Sequence, residues 1–471
     1  MSVAVLDIGK TNLKIHLLDE NGMLLAERSR VNRSLPGPPW LHYDLPSIED
    51  WLIASLVDFS RQWEIDAFVS ACHGSGGVLV DDDGPVLQPI DYESEVPAGV
   101  AEEYASLMPP FARRGSVIQR QAGHFAQQML MMQRAFPSEF GRARHFLPLP
   151  QYWAWRLTGV PSIDTTMLGA QSQLVNPLDR RSTGIVEQLG WGHLLPKVVP
   201  PYQVLGTPRP GLNLPPSMQV LAGIHDSTAN LYGYQAAGFE DFALLSTGTW
   251  IVGMCPSTPA AALDEEFGMT VTSDVEGHPV AGVLAMGGRE YAVIAGGSSG
   301  RAVRKALQAV VDQDVLAMPS FVDNDGVFPS SAGRGRIEGP VPNPAGRIAL
   351  ATLYNALVAD ICLDLMRSDQ TIVIDGGFTV DPAFASLMAA LRPNQLVLVN
   401  HQGGGTAAGA ALLWTHENLK RPARLRPEHA SPLHLDGLAR YRAHWRDAVA
   451  RHIQRPLPRS CSGFPSTDHQ E

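Results

Sequence analysis

Lysine is scarce in this chain. Only five of its 36 basic residues are lysines, and two of them, Lys10 and Lys14, stand within the first fourteen positions. Positive charge as a whole is short: the formal net charge is −11 at pH 7, and no Lys/Arg run interrupts the sequence. A protein that holds nucleic acid by neutralising phosphates carries a basic patch, so that class is set aside. Cysteine is also sparse. Cys72, Cys255, Cys362 and Cys461 are widely scattered and form no C-x-x-C pair, which excludes the usual zinc spacing and a disulfide scaffold. No 18-residue apolar run is present, so no membrane span is expected. Asp7 and Lys10 fall where a secretory leader would need its apolar core, and a soluble cytoplasmic setting is the expectation. Two nucleotide motifs are missing as well. There is no GxxxxGK[ST] phosphate loop and no GxGxxG opening a helix.

What remains is an ordinary globular balance. The 471 residues are 45% hydrophobic and 18% charged, enough for two domains of more than 200 residues, each with its own core. The chain opens with a short apolar run, 2–7, then a polar glycine turn, then a second strand pattern over 13–18. Strand, polar Gly turn, strand is the pattern of a β-hairpin, not of a strand leading into a helix. The same pattern returns at the midpoint: an apolar strand at 242–245, the turn Ser246-Thr247-Gly248-Thr249, and a strand at 250–254. Gly9 and Gly248 lie 239 residues apart, about half the chain, which suggests a duplicated domain. The expected division is 1–237, then 238–455, with a polar tail at 456–471.

Between these landmarks the apolar spacing predicts a helix over 48–63, strands over 67–71 and 78–80, and mostly helix over 97–160. A strand is expected at 219–224, followed by His225-Asp226 and a helix over 227–234. In the second half the pattern predicts strands at 372–374 and 396–399, each running into glycines. Helices at 382–391 and 406–413 follow.

The residues with chemistry in them sit at these junctions. In Asp7-Ile8-Gly9-Lys10-Thr11-Asn12 a tight turn exposes main-chain N–H groups, and such nests bind phosphate. Thr11 and Asn12 add donors, Lys10 and Lys14 add charge, and Asp7 at the strand end is suited to Mg²⁺. Ser246, Thr247, Gly248 and Thr249 offer hydroxyls and amides in the same way. Gly376, Gly377 and Phe378, and Gly403-Gly404-Gly405, stand where missing side chains let a base or ribose approach a helix start. Asp226 is placed to take a proton from a substrate hydroxyl. His73 and Gly74, the Asp91-Tyr92-Glu93 stretch and Gln151 mix hydrogen-bonding and flat side chains, as sugar sites do. Taken singly, each has a plainer explanation: a β-turn, a helix N-cap at Asp226, or close helix-on-sheet packing.

Taken in order, from Val3 to about Leu413, these features resemble one family, the FGGY carbohydrate kinases of the actin and hexokinase superfamily. Asp7 to Asn12 is similar to the family's first phosphate loop and Ser246 to Thr249 to its second. Gly376-Gly377 and Gly403-Gly404-Gly405 are similar to its adenosine-side glycines. Asp226 falls where the family carries its catalytic base, and His73-Gly74 resembles a substrate-side motif. His225-Asp226-Ser227 together with Ser246 to Trp250 is most similar to the branch that acts on L-rhamnulose and L-fuculose. Three stretches depart from the pattern: Met286 to Glu290, Glu93 in place of Asp or Asn, and Gly376-Gly377-Phe378 in place of a triple glycine.

The resemblance implies an α/β fold of two actin/hexokinase-like (ribonuclease H-like) domains around a central cleft. It implies ATP on the second domain, with Gly9, Lys10, Thr11, Asn12, Lys14, Ser246, Thr247, Gly248, Thr249, Gly376, Gly377, Phe378 and Gly404 about it. Mg²⁺ would be held by Asp7 and Asp226. A small sugar would lie near His73, Gly74, Glu93, Gln151, His225 and Asp226, with Asp226 accepting the hydroxyl proton. A homodimer is the family's common form. Three rival readings stay open. One is a kinase for a pentulose, polyol or aldonate, and another is an ATP-switched binding protein of the same superfamily. The third is a dehydrogenase suggested by Ile374-Asp375-Gly376-Gly377, against which the missing GxGxxG counts.

Overall fold

The computed structural model describes residues 1–19, 22–170, 172–401, 404–418 and 425–461. The chain divides into two compact units. The first comprises Met1–Phe239, Val271–Pro279 and Gly404–Leu425, the second Glu240–Thr270, Val280–Gly403 and Arg426–Glu471.

The first unit is built on the opening hairpin. Strands β1 (Ser2–Ile8) and β2 (Asn12–Asp19) pair antiparallel, and β3 (Leu24–Val31) continues the meander at the sheet edge. The apolar run of β1 is buried because the sheet is covered on both faces, the condition that erases a strand's alternation. Helix α1 (Leu45–Ser60) starts where the Asp44 side chain accepts from the Ser47 N–H, and it buries Ile48, Leu52 and Leu56. On the other side of β1 lies β4 (Ala67–Cys72), parallel to it. Helix α2 (Leu149–Thr158) packs against β4. Strand β5 (Val204–Gly206) pairs with β6 (Gln219–Leu221), and β6 and β7 (Ile224–His225) both run parallel to β4. Helix α3 (Asp226–Ala236) leaves directly from β7.

The second unit repeats this plan. Strands β8 (Phe242–Thr247) and β9 (Ile251–Cys255) form an antiparallel hairpin with β10 (Pro279–Ala285) beside it. Strand β11 (Thr371–Gly376) runs parallel to β8, as β4 does to β1, and β12 (Val397–Val399) runs parallel to β11. Helix α4 (Gly287–Ala295) follows β10, α5 (Pro344–Leu365) precedes β11, and α6 (Pro382–Leu391) follows a single 3-10 turn at Gly377–Val380. The duplication expected from two glycine turns is thus a duplication of topology. After β12 the chain returns to the first unit as α7 (Gly405–Leu412), which packs on α3. It ends in the second unit with α8 (Leu438–Ile453).

Several elements had no marked sequence pattern. Strand β3 is mostly exposed, so it lacks an apolar face to read. The stretch over 97–160 contains helices, but also strand His145–Pro148, which pairs with Gly77–Val80. Helix α5 has 22 residues and an 18-residue window of mean hydropathy 1.6, so a helix of membrane-spanning length and composition does exist. That window is wholly buried, and in a folded domain such a helix is the core rod around which the layers pack. From Pro456 onward, residues 456–461 touch α8 and α5: Arg442 donates to the Ser460 hydroxyl and the Cys461 N–H to Asp364. Residues 462–471 lie outside the described residues. The four cysteines are free thiols.

Candidate active site

In the first unit the functional side chains gather at the carboxyl ends of parallel strands, the usual place for ligands in α/β sheets. Asp7, next to last in β1, pairs across the hairpin with Lys14 and across the parallel ladder with Ala71. Ile224 of β7 faces the same Ala71, His225 faces Cys72, and Asp226 follows as the first residue of α3. Asp226 is not the N-cap of its helix. That position belongs to His225, which makes no side-chain capping bond. The Asp226 Oδ1 instead receives the Ser227 N–H at 2.5 Å and the Ser227 hydroxyl at 3.0 Å.

The two carboxylates act on each other. The Asp7 carboxyl is pushed up to about 7, first by burial and then by the negative charge of Asp226, with Lys14 pulling the other way. A buried carboxyl that feels the charge of a second carboxylate is a place where a cation would be favoured. Among the described residues no group of three or more His, Cys, Asp or Glu could hold a metal by itself. Two carboxylates alone suit Mg²⁺, which keeps waters and takes its remaining oxygens from phosphates. The donor set therefore fits that ion.

The turn between β1 and β2 is closed by the Gly9 N–H donating to the Asn12 carbonyl at 3.0 Å. Asn32, just past β3, pins it: the Asn32 side-chain amide donates to the Gly9 carbonyl at 2.8 Å, and its N–H donates to the Thr11 carbonyl. Thr11 and Asn12 are exposed. Lys10 turns to another loop. Its Nζ lies 2.5 Å from Asp91 and 3.3 Å from Glu93, and 5.0 Å from the Tyr92 ring centroid. Ser34 also donates to Asp91. Burial alone would raise the Asp91 carboxyl, but the hydrogen bonds from Lys10 and Ser34 hold it below its ordinary value. The structure therefore joins Lys10 to the stretch expected to meet sugar.

His73 lies against Tyr43 and Tyr92, at ring-centroid distances of 5.6 and 5.2 Å. Burial pushes its pKa down to about 4, so the ring is neutral. The Ser75 N–H donates to Nδ1 at 3.4 Å, which leaves the proton on Nε2, a buried atom with no partner. Gly74 sits beside it, and a Cβ there would meet the His225 Nε2 at 3.1 Å. Gln128 fixes this loop by donating to the Ser75 and Ala122 carbonyls. Gln151 is fully buried, and its amide donates to Asp164 and to the Ala222 and Gly223 carbonyls at the exit of β6. Asp164 in turn accepts from the Thr166 hydroxyl, whose oxygen accepts the His225 N–H at 2.9 Å. Burial pushes the Asp164 carboxyl up to about 7 despite these bonds.

In the second unit the turn after β8 is made by close fit. The Gly248 N–H donates to the Trp250 carbonyl. The Thr247 hydroxyl donates to the Asp375 carbonyl at 2.7 Å and accepts the Phe378 N–H at 3.0 Å, tying β8 to the exit of β11. Gly376 has φ +92°, and a Cβ there would lie 2.0 Å from the Thr247 carbonyl oxygen. A Cβ on Gly288 would lie 2.2 Å from the Gly248 carbonyl oxygen. Ser246 and Thr249 are half-buried beside the turn. Gly377 and Phe378 line a pocket of about 200 Å³ with Tyr291, Thr352, Asn355 and Phe384. Gly404 stands in the first unit, at the start of α7, and Gly403 lies outside the described residues.

Asn32, Ser34, Gln128, Asp164, Thr166, Gly288 and Tyr291 were not marked as site residues from sequence. Only Asp164 carried a readable signal: Asp164-Thr165-Thr166 before Met167-Leu168 is an N-cap pattern, and Asp164 does cap that short helix.

The model of the FGGY carbohydrate kinase C-terminal domain matches residues 239–422. A carbohydrate kinase from Novosphingobium aromaticivorans is 31% identical, with a TM-score of 0.82 over 96% of this chain and 98% of that one. The L-fuculokinase of Escherichia coli (strain K12) is 27% identical over 282 residues, 54% of this chain and 56% of that protein. The match thus spans about half the length of the curated relative. Xylulose kinase from Rhodospirillum rubrum, 18% identical with a TM-score of 0.78, shares the fold. The chain belongs to the FGGY carbohydrate kinases.

Proposed function

We propose that this protein transfers the γ-phosphoryl group of ATP to a hydroxyl of a small sugar, a ketose of the L-fuculose or L-rhamnulose type. The observation that carries the reading is the Asp7–Asp226 pair at the strand ends, beside two neutral histidines. Asp226 accepts the proton of the attacked hydroxyl as its oxygen closes on the γ-phosphorus. His73 donates from Nε2 to a sugar oxygen. Gly74 lets Ala170 and His225 pack close, a Cβ there lying 2.7 Å from the Ala170 Cβ, and Asp91 and Glu93 accept from the sugar's hydroxyls while Lys10 balances their charge. Gln151 supports the floor of this site from beneath. Asp7 and Asp226 would hold Mg²⁺, which would neutralise phosphate charge. Lys14 and the N–H groups of Lys10 and Thr11 face phosphate, the Gly9 N–H being spent in closing the turn. In the second unit the base and ribose occupy the pocket lined by Tyr291, Gly377, Phe378 and Phe384, and the turn at Ser246 to Thr249 receives phosphate oxygens. The unit built on Met1–Phe239 carries the sugar and the base, and the unit that holds Glu240–Thr270 and Val280–Gly403 carries the nucleotide. A cytoplasmic setting suits ATP as donor.

The test is coupled detection of ADP with L-fuculose, L-rhamnulose, ribulose, xylulose, glycerol and gluconate. The expected result is sugar-dependent ADP release, strongest with one of the ketoses. ATP binding with no stimulation by any of them would instead favour an ATP-switched binding protein.

A further inference from the structure

The two histidines of the site are held in opposite states. His73 keeps its proton on Nε2 because the Ser75 N–H occupies Nδ1. At His225 the chain of bonds runs the other way. Its Nδ1 lies 3.1 Å from the Thr228 Oγ1, and that same oxygen lies 3.1 Å from the main-chain carbonyl of Ser273. A carbonyl only accepts, and a threonine hydroxyl has one proton to give. When that proton goes to Ser273, the Thr228 oxygen is left to accept, and the proton it accepts is on Nδ1. Both 3.1 Å contacts are then satisfied. Thr228 is buried, so an unmade bond there has no water to replace it.

We propose, on the reading that Asp226 is the proton acceptor, that Thr228 and Ser273 hold His225 as its Nδ1–H tautomer. Nε2 is then a second hydrogen-bond acceptor beside that carboxylate. The Nε2 is 3.4 Å from the Asp226 Oδ1 and borders Gly74. Two acceptors that close repel one another, and a substrate bearing two neighbouring hydroxyls satisfies both. One hydroxyl gives its proton to Asp226 and is phosphorylated, and the next donates to His225. Asp164 and Thr166 complete the device by fixing the His225 main chain. Thr228 is a positioning residue: it acts through His225.

The experiment is a long-range ¹H–¹⁵N correlation spectrum of the full chain with ¹⁵N-labelled histidine, assigned with His225→Gln and His73→Gln. The expected spectrum shows Nδ1–H for His225 and Nε2–H for His73. In Thr228→Val, His225 moves to Nε2–H, now directed at Asp226, and the KM for L-fuculose rises about tenfold while that for ATP stays. Thr228→Ser restores both. A wild-type His225 protonated on Nε2, or a Thr228→Val protein with an unchanged tautomer, overturns the proposal. The spectrum needs no substrate, so it decides the tautomer even where no assayed sugar is phosphorylated. Should Thr228→Val not fold, the wild-type and Thr228→Ser spectra decide alone.

Discussion

The two glycine turns share a backbone plan and differ in everything hung on it. Each joins the first two strands of its unit, and each lies beside a parallel strand arriving from later in the chain. The turn after β1 is surrounded by charge: Asp7, Lys10 and Lys14 belong to it, and Asp226, Asp91 and Glu93 answer them. The turn after β8 has no charged side chain. It is shaped by Gly288 and Gly376 pressed against its carbonyls and by a Thr247 hydroxyl spent inside the fold. The first turn is set by charge, and the second is set by shape.

That contrast predicts different failures. Asp226→Asn should lower kcat by about 10²- to 10⁴-fold with nucleotide affinity nearly unchanged. Near-normal turnover would remove the assignment of the base. On the second turn, Gly376→Ala should act through the fold. A Cβ would strike the Thr247 carbonyl in a left-handed conformation, so calorimetry should show a melting temperature lower by several degrees. An unchanged melting temperature would mean that the turn is not held by shape.

Lys10→Met separates the two ends of the first turn. With Lys10 engaged by Asp91 and Glu93, the KM for sugar should rise about tenfold and that for ATP little. The reverse split would return Lys10 to the phosphates. The smallest effect concerns Asp7. Its carboxyl is raised from 3.8 to about 7 in the fold, so its ionisation costs stability progressively from about pH 4 to about pH 7. Asp7→Asn escapes that loss. Its melting temperature relative to wild type should climb across this window and level off above it, by roughly 2–5 °C. A difference that is flat with pH would show that the carboxyl is not strained.

Much of the frame was legible because it is local. A buried strand, a polar glycine turn and a second strand announce themselves over about fifteen residues, and β1–β2 and β8–β9 fold as that pattern demands. Helix α6 begins and ends at the expected residues because Asp381 caps it and Pro382 starts it. The rest was hidden for reasons of distance. Helix α5 is buried on all sides, so it has no amphipathic period to read. Lys10 looked like a phosphate ligand because its neighbours in sequence are a phosphate turn, yet its partner Asp91 is 81 residues away. Asp226 looked equally like a helix cap until its oxygen was found on Ser227.

By itself, then, the sequence determined the two hairpins, their repetition and the residues at the strand ends, since turn chemistry and apolar periodicity act over a few residues. Only the tertiary structure decided which charges meet, that the Ser273 carbonyl reaches Thr228, and which glycines have no room for a side chain. Those depend on atoms brought together from positions tens to more than a hundred residues apart, and no local pattern records such pairings.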